Sequence, residues 1–205
     1  DTNLPMLCAS LAEMGIRPCF VGKVSDKLSS LQKAVSRALR KSDVVVVMGG
    51  VSVGEYDFAK KVFHRLGVSE IFWKVSQKPG KPLYFGKRGK TLVFGLPGNP
   101  AAVFTSFYEY VFPTLRRMMG FEKDTLSAGF VALGTELKAD RVRTLFLKAK
   151  TDCEGHRKIV IPLKYQGSHM ISSLCEADSF IVVPPRDRPF RKGQKINVHY
   201  LPYLR

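Results

Sequence analysis

A run of glycines broken by one hydroxyl and closed by two acids, Gly49-Gly50-Val51-Ser52-Val53-Gly54-Glu55-Tyr56-Asp57, is where this 205-residue sequence is best equipped for chemistry. The wholly apolar stretch from Val44 to Met48 precedes it, and a segment of helical periodicity follows. In open α/β sheets, a buried strand that opens into a glycine-rich turn before a helix is an arrangement that receives anions. Glycine lets the main chain approach a ligand, and the helix start offers N–H groups with no partner inside the helix. A carboxylate at such a site holds a metal ion or handles a proton, because unshielded negative charge repels an anionic ligand. The same glycines can serve only the turn, and Asp57 can be a plain helix N-cap. Placement at the end of an apolar strand favours the binding reading.

Two further rigid loops carry suitable groups. Lys78-Pro79-Gly80-Lys81-Pro82, with Lys74 upstream, fixes its cations between prolines, which suits a small multivalent anion better than mobile side chains do. Pro97-Gly98-Asn99-Pro100 makes a donor-rich helix entrance, with proline at the first helical position. Each loop alone reads equally as an ordinary turn. All three follow strands of one expected sheet, however, so they are expected to converge on one edge. Asp26 also lies between a strand and a helix, where an acid commonly caps, and it can face the same pocket as Asp57. Two carboxylates beside a phosphate make a ready Mg²⁺ site. Tyr165-Gln166-Gly167-Ser168-His169 is a polar loop whose default reading is a surface turn.

The elements that must hold these loops are legible as patterns. Leu4, Leu7, Leu11 and Met14 predict one helix, and Leu28, Leu31, Val35 and Leu39 a second. Phe58, Val62, Phe63 and Leu66 predict a third, and residues 101–119 a long fourth. Strands are expected over 17–21, 44–48 and 71–75, with a hairpin from Tyr84-Phe85 to Leu92–Phe94 across a basic glycine-flanked tip. Alternating strands and helices argue for an α/β, doubly wound, mostly parallel sheet over residues 1–122. Residues 123–205 instead show short β-rich runs and turns without a convincing helix, which predicts a small all-β barrel.

Composition narrows the partners. The net charge of +16 is spread over both halves, 18 Lys/Arg against 8 Asp/Glu in residues 1–120 and 15 against 9 beyond, so an anionic ligand is expected. No zinc finger, basic heptad or RNA-binding aromatic signature appears, which argues against nucleic acid. Cys8, Cys19, Cys153 and Cys175 lack metal or disulfide spacing, and the four histidines do not cluster, as expected of a reduced, cytoplasmic protein. No apolar run is long enough to span a bilayer. The chain starts at Asp1 instead of Met, which reads as part of a longer protein.

Taken together, the loops resemble the MoeA family (molybdopterin molybdenumtransferases, including the E domain of gephyrin and plant molybdenum insertases). The matching segments are Asp1-Thr2-Asn3, Asp26, GGVSVGEYDF at 49–58, FWKVSQKPGKP at 72–82, GLPGNP at 95–100 and QGSH at 166–169. The resemblance implies a molybdopterin-binding α/β domain followed by a β-barrel domain. It also implies insertion of molybdate into adenylylated molybdopterin with release of AMP, assisted by Mg²⁺. By the same resemblance, Asp57 and Asp26 are catalytic and metal-binding. Gly49, Gly50, Ser52, Gly54, Glu55, Lys74, Lys78, Lys81, Pro97, Gly98, Asn99 and Ser168 line the substrate site, Ser168 from a barrel loop that closes over it. Homodimerisation of the full-length protein and contact with a molybdopterin adenylyltransferase follow as expectations. Relatives carry upstream domains and a strand with a Thr-Gly-Asp-Glu-type acid, and an arginine where this sequence has Lys148. Two other roles stand beside catalysis: a module that binds molybdopterin or anchors a partner without turnover, and a general polyanion binder.

Overall fold

A computed structural model describes residues 2–19, 22–25, 27–50, 58–167 and 172–202. They form two compact units, Asp1–Val75 with Gly80–Ser106, and Ser76–Pro79 with Phe107–Arg205. No helix among the described residues is long and apolar enough to cross a membrane.

The first unit is a four-stranded sheet with helices against it. Its strands are β1 (Val44–Met48), β2 (Ser69–Trp73), β4 (Tyr84–Arg88) and β5 (Thr91–Leu96), in the order β1-β5-β4-β2. Helices α2 (Leu28–Leu39) and α3 (Phe58–Arg65) direct their apolar stripes at one face. Val35, Ala38 and Leu39 from α2 meet Ala59, Val62 and Phe63 from α3 over Val45, Val93 and Tyr84 of the sheet. Val62 and Phe63 are fully buried, each side chain contributing about 1.5–3 kcal/mol of apolar burial. Period-two alternation sends Phe94 and Leu96 to the opposite face, where both are buried. Helix α1 (Asn3–Glu13) packs against α4 (Pro100–Ser106).

The sheet is mixed. β1 pairs with β5 in parallel, Val45 opposite Val93, whereas β4 is antiparallel to both β5 and β2. The expected hairpin is present, but its turn is only Gly89-Lys90, and Gly86 to Arg88 belong to β4. Gly86 is buried there, and the position requires glycine because a Cβ would stand 2.7 Å from the Ser69 carbonyl oxygen. Two strand expectations shift. Of residues 17–21, the described Arg17, Pro18 and Cys19 form no strand, since Pro18 has no N–H for a ladder. The strand expected over 71–75 runs from Ser69 to Trp73 and stops because Lys74 adopts φ 72°.

The second unit is a closed barrel. β6 (Ser127–Leu133), β7 (Thr144–Glu154), β8 (Arg157–Pro162), β9 (Ser179–Val183) and β10 (Lys195–Tyr200) pair in the cycle β7-β8-β6-β10-β9-β7. Leu133, Ala149, Val160, Ile181, Val183, Ile196 and Val198 fill it. Two elements escaped the sequence patterns. β3 (Gln77–Lys78) adds in parallel to β7 opposite Thr144 and Leu145, and the short helix α6 (Ser172–Glu176) precedes β9. The long helix expected over 101–119 is three segments: α4, a π-helix (Phe107–Val111) and α5 (Phe112–Met118). Pro113 cannot donate to the helical ladder, and the Thr114 hydroxyl donates to the Tyr110 carbonyl at 2.8 Å. On the π-helix, both carboxylate oxygens of Glu109 lie 3.0 Å from Nδ1 of His199 on β10. The Tyr110 hydroxyl donates to Oε1 of the buried Gln77.

Candidate functional site

Strand direction creates the site. β1 and β5 are parallel, and two successive antiparallel steps, β5 to β4 and β4 to β2, bring β2 into the same sense. The carboxyl ends of β1, β5 and β2 therefore share one edge of the sheet. From it leave Gly49-Gly50, the Pro97–Asn99 loop and Lys74-Val75, the edge at which open α/β sheets bind ligands.

The first two of these loops are tied together. The Gly49 N–H donates to the Leu96 carbonyl at 2.9 Å, extending the β1–β5 ladder by one residue. Gly49 and Gly50 have φ of 80° and 70°, a region that costs a residue with a Cβ. The Gly50 carbonyl accepts from the Ala59 N–H at 3.0 Å and so fixes the start of α3. Across the edge, a Cβ on Gly98 would lie 3.8 Å from the Gly49 Cα, so the two main chains run close together. Asn3 of α1 donates through Nδ2 to the Gly98 carbonyl at 2.8 Å, and Asn99 accepts from the Val103 N–H at 2.9 Å. Those contacts leave two acceptors over. Asn3 Oδ1 and Asn99 Oδ1 are buried and have no hydrogen-bond partner among the described residues. A buried acceptor without a donor costs about 1–3 kcal/mol, which a ligand N–H or O–H would recover.

Positive charge stands on the same edge. Lys74 and Lys81 are exposed there, with the Lys74 N–H donating to the Leu83 carbonyl and the Val75 N–H to the Lys81 carbonyl, both at 2.9 Å. Lys78, by contrast, sits in β3 and belongs to the barrel unit. Asp26, Ser52, Gly54, Glu55, Asp57 and Ser168 lie outside the described residues. Among those described, no group of three or more His, Cys, Asp or Glu side chains could hold a metal ion.

Within the barrel unit, taken by itself, one cation is buried. Lys148 on β7 is 3% exposed and has no carboxylate partner among the described residues. Its Nζ donates to Ser173 Oγ at 2.5 Å and to the Gly167 carbonyl at 3.4 Å. Burial pushes its pKa below the ordinary lysine value. Gln166 braces the same loop: its Nε2 donates to the carbonyls of Lys148 and Leu163, and its Oε1 accepts from the Lys148 N–H. Sequence patterns marked Gln166 only as polar loop and gave Asn3 no role at the edge. A lone Asn or Gln carries no periodic signal, and only the fold supplies its partner.

Comparison with known proteins bears on both units. Residues 1–117 match the model of the probable molybdopterin binding domain, and residues 131–201 match the MoeA C-terminal region (domain IV). The chain is 31% identical to a molybdopterin molybdenumtransferase of Haemophilus influenzae, over all of its own length and 51% of the relative's. It is 29% identical to that of Bacillus subtilis, over 97% of its own length and 46% of the relative's. A solved molybdopterin biosynthesis MoeA protein of Pyrococcus horikosii superposes with a TM-score of 0.79 at 28% identity, over 97% of this chain and 47% of the other. The chain thus spans about half the length of the curated relatives it matches.

Proposed function

We propose that this chain, which belongs to the probable molybdopterin-binding domain family and within it to the MoeA type, provides the ligand-binding surface of a molybdenum insertase. That enzyme takes adenylylated molybdopterin and molybdate as substrates, places the metal in the dithiolene and releases AMP. The observation that carries the reading is the shared carboxyl edge of β1, β5 and β2. There the main chain of Gly49 and Gly98 is bare enough for close approach, and Asn3 Oδ1 and Asn99 Oδ1 lie buried without donors among the described residues. A pterin ring brings amide and amino N–H groups that match such acceptors. The phosphates of the substrate and the molybdate oxyanion repel one another, and the ammonium groups of Lys74 and Lys81 offset that repulsion.

Asp26 and Asp57 are the acids assigned to Mg²⁺ and to adenylate hydrolysis, and Ser52, Gly54 and Glu55 are assigned to substrate contact. Asp26 and Asp57 would hold the ion, which when bound supplies neutralisation of phosphate charge. What this chain's own residues do is bind, orient and neutralise. Lys78 and Ser168 are the substrate contacts assigned to the barrel unit. Homodimerisation and contact with an adenylyltransferase belong to the proposal for the full-length protein.

The test is AMP release by the full-length protein from adenylylated molybdopterin, with and without molybdate. Asp57→Ala should lower the rate by about 10²-fold or more; turnover unchanged in that variant refutes its role. Calorimetry of the 205-residue chain with molybdopterin separates the alternatives. Binding with no turnover in the full-length protein selects the non-catalytic module, and no binding at all defeats both readings.

A further inference from the structure

The chain's single tryptophan, Trp73, lies at the last position of β2, and two ammonium groups stand over its ring. Lys60 Nζ from α3 is 3.6 Å from the ring centroid, and Lys74 Nζ is 4.2 Å away. The two cations differ in one respect. Lys60 is compensated by Glu70, whose Oε2 is 3.1 Å from its Nζ, whereas Lys74 has no carboxylate partner among the described residues.

The backbone points the same way. Lys74 is the one residue other than glycine with positive φ among those described, at 72°, a conformation that disfavours any side chain with a Cβ. Its own N–H and that of Val75 are both satisfied at 2.9 Å, so the strained turn is held by main-chain bonds. A glycine would adopt this turn more easily. A lysine kept in such a conformation implies a use for its side chain, since strain of this kind collects at ligand sites. A long, flexible cation normally loses much rotamer freedom on binding an anion. An indole under the ammonium removes part of that loss in advance, while the remaining N–H groups stay open to a ligand.

We propose that Trp73 is a positioning residue: its ring holds the Lys74 ammonium, which has no carboxylate partner among the described residues, at the carboxyl edge of β2 as a preformed contact for a phosphate-type oxyanion of the ligand. Lys60 and Glu70 are the neutralised partner pair that fixes the ring from α3. The inference rests on the proposed function, because it names the residue that prepares one cation of that site.

Inorganic pyrophosphate titrated into the 205-residue chain tests it, followed through Trp73 emission and by calorimetry. Wild type should give a saturable response that Lys74→Gln abolishes and Lys87→Gln, at the opposite end of the sheet, leaves intact. Trp73→Leu should weaken affinity about two- to fivefold, the size of an exposed cation–π contact, while Trp73→Phe restores most of it. Thermal melts of both variants show whether the fold survives. Equal loss in Lys74→Gln and Lys87→Gln overturns the proposal, as does no saturable response in wild type. Unchanged affinity in Trp73→Leu overturns the positioning role. If molybdopterin binds the chain but neither Lys74→Gln nor Trp73→Leu alters its affinity, this inference fails and the functional reading stands. If pyrophosphate behaves as expected and molybdopterin does not bind, the functional reading fails and the anion contact stands.

Discussion

Gly49→Ala isolates the backbone requirement of the site. At φ 80° the residue occupies the left-handed region, and a Cβ built there meets no atom of the described residues within 4 Å. Crowding therefore adds nothing, and the expected cost is the conformational term alone, about 1–2 kcal/mol. For a chain of this size that lowers the midpoint of thermal unfolding by about 2–8 °C. Trp73 is the only tryptophan and lies in the first unit, so its emission follows the unfolding of the unit that carries the mutation. Gly49→Asn should cost less, because a short polar side chain tolerates this conformation. Gly98→Ala is the contrasting variant. Its φ lies outside the left-handed region and the nearest atom to its Cβ would be 3.8 Å away, an ordinary contact. Stability should change by less than about 0.5 kcal/mol, yet the added methyl projects where the two loops come together and should weaken molybdopterin binding. Wild-type stability in Gly49→Ala refutes the backbone argument. Destabilisation by Gly98→Ala with unchanged affinity refutes the assignment of this edge as the ligand surface.

Two predictions concern the second unit, one its buried Lys148 and the other its half-buried Tyr110. The folded-state pKa of Lys148 lies below its unfolded value of 10.5, so the unfolded chain binds the proton more readily, and burial of the charge destabilises most below the folded pKa. Relative to Lys148→Met, wild type should gain stability as pH rises toward 10.5; denaturant midpoints that stay parallel across that window refute the buried charge. Tyr110→Phe removes the donor to the buried Gln77 Oε1 and should cost about 1–3 kcal/mol near neutrality. Burial, aided by the neighbouring Glu109 charge, raises the Tyr110 pKa to about 12. The contribution is thus complete below pH 10 and disappears as pH rises through about 12, so the penalty of the phenylalanine variant should shrink over that interval in denaturation melts.

Local chemistry was readable wherever it repeats along the chain. The stripes of α2 and α3, the unbroken apolar β1 and the β4–β5 hairpin announce themselves through periodicity and turn residues, because each depends on neighbours within a few positions. The glycine pair at 49–50 was legible for the same reason, since its requirement is a property of one backbone conformation. Other features depend on partners far away in sequence. That β2 shares the sense of β1 and β5 follows from two antiparallel pairings, and that β3 joins β7 places a piece of the 70s segment in the barrel. Lys148 looks in sequence like any lysine on a strand; only closure of the barrel buries it beside Ser173 and Gly167. Trp73 likewise reads as ordinary β-strand apolar content until α3 delivers Lys60 and the turn at Lys74 folds a second cation onto its ring. Sequence by itself determined the amphipathic helices α1 to α3, the buried strand β1, the β4–β5 hairpin and the all-β character of the second unit. Tertiary structure decided which of those loops meet and which charges are buried, because pairing and burial are set by contacts between residues that no short-range pattern connects.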